Sequence, residues 1–163
     1  VQLELDPPYG VGPIKIGMSM DEAETALREL GGDLSGRTRG FAHFGADLSI
    51  HVVSDKDGLV EAIEVHRSED DFADTVLCLG IDVFGTPAVD VTRLLGELTP
   101  VRVETEGASL VAPELLVALW QPFVPGHGNN NGVVGEGLYF RTALVAGPGY
   151  YDKSGQHRAI HAG

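Results

Sequence analysis

The sequence predicts an α+β fold: a tandem duplication of a helix-plus-three-strand unit, with the helices packed on one face of an antiparallel sheet. Three observations carry this. A short strand, a glycine turn, a helix cap and an amphipathic helix run from Ile14 to Leu30, and a relative of that stretch returns from Asp82 to Leu98. After each helix the pattern changes to short alternating or β-branched runs bounded by turn residues. The 163 residues fit one domain or two small repeats sharing a core, and suffice to bury that core without staples. The first repeat is expected over residues 1–68 and the second over 69–152, with a frayed tail at 153–163.

The first copy is specified locally. Ser19 can accept a hydrogen bond from the first turn of a helix while Glu22 reaches back, a capping box. Asp21 and Glu22 sit where the helix dipole favours negative charge. Met20, Ala23, Leu27 and Leu30 share one helical face, and Gly31-Gly32 stop the helix. In the second copy Thr86 takes the cap, Pro87 the first helical position, and Ala88, Val91, Leu95 and Leu98 the apolar stripe. Gly17 aligns with Gly85, Leu27 with Leu95, Glu29 with Glu97 and Leu30 with Leu98.

The other elements follow in order. Asp6–Gly10 is a turn-rich entry and residues 11–16 a short extended piece. Strands are expected over 40–44, 48–54 and 59–67, the last two joined by the turn Asp55-Lys56-Asp57-Gly58. Pairing Ser54 with Leu59 sets Leu48, Ile50 and Val52 opposite Val65, Ile63 and Glu61. The other face then carries Ser49, His51, Glu64 and His66, with Asp47 opposite His66, and should be wet. An acidic joint, 68–74, links the halves. Residues 75–84 read as a buried strand interrupted at Gly80, and further strands are expected over 101–105, 109–112, 115–121 and 138–146. Residues 115–120 form the most hydrophobic run, the mark of a central strand. Gly126–Gly132 holds no core-forming residue and reads as a loop.

Ile14-Lys15-Ile16-Gly17-Met18-Ser19 resembles the I-x-x-G-M-T opening of the β-lactamase inhibitor protein repeat, and related openings occur in small bacterial lipoproteins of the outer-membrane assembly type. The resemblance spans Ile14–Leu30 and, more loosely, Phe84–Leu98. It implies tandem helix-plus-sheet units and a concave sheet that binds protein. The paired cysteines of that family are missing here, and the second copy reads Gly85-Thr86-Pro87, so no binding residue and no target carry over.

Charge and composition narrow the function. The net charge is −13, with 16 acids against 6 bases in residues 1–80 and 8 against 5 in the remainder. Such a surface repels nucleic acid and anionic membranes and suits a partner with a basic surface. There is no apolar run long enough to span a membrane. The single cysteine, Cys78, lies in an apolar run, reads as a buried inert thiol, and allows no internal disulfide, which points to the cytoplasm. The chain begins at Val1, which is compatible with a removed N-terminal signal.

No catalytic motif emerges. Gly80–Thr86 has Walker-A glycine spacing but no lysine to meet a phosphate. Asp55-Lys56-Asp57-Gly58 lacks the full calcium-loop spacing, and the histidines form no zinc motif. No cofactor and no metal are expected. The reading is a non-enzymatic protein-binding module of bacterial inhibitor or toxin-immunity type; the alternative is a small-ligand or sensor domain using the concave sheet face. Candidate partner-binding residues are Trp120, His127, Tyr139, Tyr150 and Tyr151, beside the Gly126–Gly132 loop. Candidate steering charges are Glu69, Asp70, Asp71 and Asp74. His51, Glu64 and His66 form an alternative polar face.

Folding should therefore survive exhaustive chelation. A melting temperature that drops in excess chelator would restore a metal site at His51 and His66.

Overall fold

A computed structural model describes residues 2–36, 39–44, 48–67, 75–104, 109–121 and 139–148. The chain starts with β1 (Gln2–Asp6), where Leu3 and Leu5 point inward between exposed Gln2, Glu4 and Asp6. A turn at Pro7-Pro8-Tyr9 leads to β2 (Gly10–Val11) and β3 (Ile14–Lys15). Helix α1 (Met20–Glu29) carries the expected capping box: the Glu22 amide donates to Ser19 Oγ at 3.1 Å, and the Ser19 amide to Glu22 Oε1 at 3.0 Å. At its other end Gly31 adopts φ +99°, and the amides of Gly31 and Gly32 close back on the Arg28 and Leu27 carbonyls. This is a Schellman ending, which needs the left-handed residue that glycine supplies without strain.

Three antiparallel strands follow, β4 (Phe41–Phe44), β5 (Leu48–Ser54) and β6 (Val60–Arg67). The β5–β6 turn is organised by Asp55, whose carboxylate accepts from the Asp57 and Leu59 amides. The second half opens with β7 (Thr75–Cys78) and β8 (Ile81–Asp82). Helix α2 (Ala88–Gly96) comes next, then β9 (Arg102–Glu104), β10 (Ser109–Ala112), β11 (Val117–Trp120) and β12 (Thr142–Ala146).

Among the described residues two sheets form where a single one was expected. One is mixed, in the order β3-β2-β1-β7-β8, with β1 and β7 parallel. The other is antiparallel, in the order β4-β5-β6-β12-β11-β10-β9. Among the described residues, α1 leads into three strands and α2 into four, so the fold is α+β in repeating helix-then-strand blocks. One apolar cluster joins Ala23 and Leu27 of α1, Val91 and Leu95 of α2, Leu3 and Val76 of the small sheet, and Ile50, Val65, Leu119 and Val145 of the large one. Its polar exception is Arg67, 1% exposed, whose guanidinium donates to the Phe84 carbonyl at 2.8 Å and lies 5.5 Å over the Phe84 ring.

Four local expectations are corrected. Residues 75–84 are not one interrupted strand but a hairpin, turning at Leu79 (φ +53°) and Gly80 (φ +85°). Pro87, not Thr86, occupies the α2 cap, and no side chain caps that helix. Leu98 falls beyond the helix and is 58% exposed. A β-bulge near Glu61 shifts the β5–β6 register, so Leu48, Ile50 and Val52 face Arg67, Val65 and Ile63, while Ser49 and His51 face His66 and Glu64. The apolar residues still share the core face, because the turn, which sets Ser54 opposite Val60, moves the register by one residue and the bulge by one more. Asp47, the joint at 68–74, the loop at 126–132 and the tail lie outside the described residues.

Leu27 and Leu95 are 0% and 1% exposed. Leu27→Ala and Leu95→Ala should each lower stability by about 2–5 kcal/mol, read as a urea-midpoint shift. Cys78 is also buried, and loss of hydration pushes its thiol up to about 11. The unfolded thiol ionises about two units lower, so its contribution is intact below pH 9 and is lost as pH rises through 11. Between those values the wild type should lose on the order of 2–3 kcal/mol more than Cys78→Ala does. Parallel pH profiles of the two proteins would contradict the burial.

Candidate functional site

The large sheet has a second face. On the core side its residues meet the helices; on the other side Ala62, Val111, Ala118, Leu144 and Ala146 form a separate, smaller cluster, with Val53 and Trp120 packed against it. Strand alternation and the register place two cross-strand rows on this side. One runs Phe41, His51, Glu64, Leu144, Ala118, Val111, Arg102. The other runs His43, Ser49, His66, Thr142, Trp120, Ser109, Glu104. Each row crosses all seven strands of the sheet.

Polar and aromatic groups concentrate towards the β4 end. The Phe41 ring lies 5.0 Å from that of His43 and 5.4 Å from that of His51. His43 is exposed, and Phe41, His51, Glu64 and His66 are half-buried. His66 Nδ1 shares a 2.9 Å hydrogen bond with Thr142 Oγ1, which ties the ring to β12. The His43 backbone pairs in both directions with Asp33, whose carboxyl is held below its ordinary value chiefly by the Ser35 amide. That pairing closes the outer edge of β4 at His43.

His51 lies directly opposite Glu64, and His66 sits in the adjacent row opposite Ser49. These residues are half-buried and share their face with the small apolar cluster, so it is not the wet polar surface expected. Trp120 shares the face, half-buried beside Thr142 and Ser109. Tyr139 is half-buried while its neighbour Phe140, 1% exposed, belongs to the core. His127, Tyr150, Tyr151, Glu69, Asp70, Asp71 and Asp74 lie outside the described residues. Among the described residues no group of three or more His, Cys, Asp or Glu is placed to hold a metal ion, and no helix is long and apolar enough to cross a membrane.

Sequence reasoning missed Phe41 and His43. Their signal was the alternation Phe41-Ala42-His43-Phe44, which meets His51 only once the register of β4 on β5 is known. It also missed a groove of about 470 Å³ beside this cluster, lined by Ser19, Asp21, Arg39, His51, Val53 and Ser54 among others. Comparison of the chain with protein-family models, with curated proteins and with solved structures found no match. The functional reading therefore rests on the residues themselves.

Proposed function

We propose that this chain is a non-enzymatic protein-binding module of bacterial inhibitor or toxin-immunity type, built from two related helix-then-strand blocks. It meets its partner with the sheet face opposite the helices. The observation that carries this reading is the Phe41, His43 and His51 cluster at the β4 end of that face, with Glu64 and His66 alongside. Aromatic and imidazole rings give contact area at low entropic cost, and polar groups around them set register. The resemblance of Ile14–Leu30 to the β-lactamase inhibitor repeat supports a sheet that binds protein. The net charge of −13 favours a basic partner, whose approach Glu69, Asp70, Asp71 and Asp74 would steer. Trp120 and Tyr139, with His127, Tyr150 and Tyr151, are the secondary contacts.

Affinity capture with immobilised protein tests this. Wild type should retain a specific partner that Phe41→Ala and His43→Ala lose, with the melting temperature of each bait kept within a few degrees. Neutralising the four acids should slow association at low salt, and the difference should fade at high salt. Capture indifferent to Phe41 and His43, in folded variants, would remove this face from the function.

A further inference from the structure

The groove beside His51 is an interrupted sheet edge. Strand β5 runs to Ser54, but β4 pairs with it only from Leu48 to His51. One further bond continues the ladder, from the Val52 amide to the Gly40 carbonyl at 2.8 Å. The reciprocal bond would run from the Gly40 amide to the Val52 carbonyl. That amide instead donates to Glu24 Oε2 of α1 at 2.9 Å. Arg39 is held on the same helix, by Glu24 at 3.6 Å and by Asp21. Helix α1 therefore peels the chain away from β5 at Gly40. The departure is close-fitting, since a Cβ on Gly40 would stand 2.7 Å from the Val52 carbonyl oxygen.

What is left on β5 follows from the register. Ser54 pairs with Val60, and the main-chain groups of Val60 turn the other way, its amide donating to the Met18 carbonyl and its carbonyl accepting from the Gly17 amide. The next rung is the Asp55 amide on the Leu59 carbonyl. Ser54 and Val60 thus form a non-hydrogen-bonded pair, and the Ser54 N–H and C=O point away from β6, into the groove. The Val52 carbonyl lies against Gly40, so what the edge offers is the donor and acceptor of Ser54. Among the described residues neither has a main-chain partner.

We propose that this groove takes an extended polypeptide segment of the partner, which continues the sheet along β5 where β4 leaves it. A main-chain donor and acceptor on one edge residue, at the end of a ladder already begun by Gly40, match a backbone rather than a compact small molecule. The flanking charges choose its side chains. Asp21, Glu22 and Glu24 outnumber Arg39, so a segment carrying Lys or Arg fits and an acidic one is repelled. This inference rests on the protein-binding reading above and names the form in which the partner arrives.

Amide hydrogen exchange and a displayed library of random peptides test it. In the free protein the Ser54 amide should exchange fast, while that of Val52 is protected. Peptides selected on the wild-type protein should be rich in Lys or Arg, slow Ser54 exchange on binding, and bind at least about tenfold more weakly to Ser54→Pro, which lacks the N–H. Ser54→Ala, which keeps it, should bind as wild type does. Should Ser54→Pro fail to fold, the exchange measurement decides. A Ser54 amide already protected in the free protein would overturn the proposal, as would a library that yields no binder. Peptides that protect Phe41 and His43 but leave Ser54 unchanged would overturn strand addition while keeping the protein-binding face.

Discussion

The pairing of β6 with β12 holds the two halves together. These strands meet antiparallel over five residue pairs at the middle of the large sheet, and their facing residues His66 and Thr142 are 76 positions apart in the chain. Closing so long a loop costs entropy before any contact returns it. What offsets that cost is burial on both faces. Ile63, Val65, Ala143 and Val145 enter the main core, while Ala62, Leu144 and Ala146 build the small cluster opposite. Without this seam each block would keep a half-sheet with an open apolar edge. The parallel β1–β7 pair makes a second joint of the same kind, so neither half has a core of its own.

Arg67 shows how the halves are locked where β6 ends. Burying a guanidinium costs several kcal/mol unless its donors are used. Here one donor takes the Phe84 carbonyl, and the planar cation covers the Phe84 ring. Phe84 stands in the segment that leads into α2, a helix without a side-chain cap. Helix α2 thus follows a segment held by a buried tertiary contact, whereas α1 starts from a local side-chain cap. The two helices occupy corresponding places in their blocks but are anchored by different physics.

That contrast also explains which parts could be read from the sequence. Helix α1 was legible to the residue because its cap, stripe and Schellman ending are all local. The α2 cap was misplaced because Thr86 is a good capping residue type, whereas the helix starts one residue later, from Pro87, with no side-chain cap. Strand β1 went unread although Gln2-Leu3-Glu4-Leu5-Asp6 alternates cleanly: it is short, and its parallel partner β7 lies far along the chain. The β5–β6 faces were assigned correctly but their register was not, because the turn holds one residue more than its Asp-Lys-Asp-Gly core and a bulge leaves no mark in an alternating pattern. The His51, Glu64 and His66 face was therefore visible, whereas its extension to Phe41 and His43 needed the β4 register.

Glu24 ties the core to the surface. It sits on the helix whose apolar stripe closes the main cluster, and it competes with the Val52 carbonyl for one amide of Gly40. A carboxylate forms the stronger hydrogen bond, so the helix wins and the sheet edge opens. An open edge invites pairing with any exposed strand, including one from another copy of the chain. The acidity of the molecule bears on this. Two copies approaching edge to edge bring Asp21, Glu22 and Glu24 against their own kind, inside an overall charge of −13. Like charge at that range opposes self-association and favours a basic segment. The distribution of acids around α1 thus bears both on how the edge is opened and on the charge that any strand approaching it must meet.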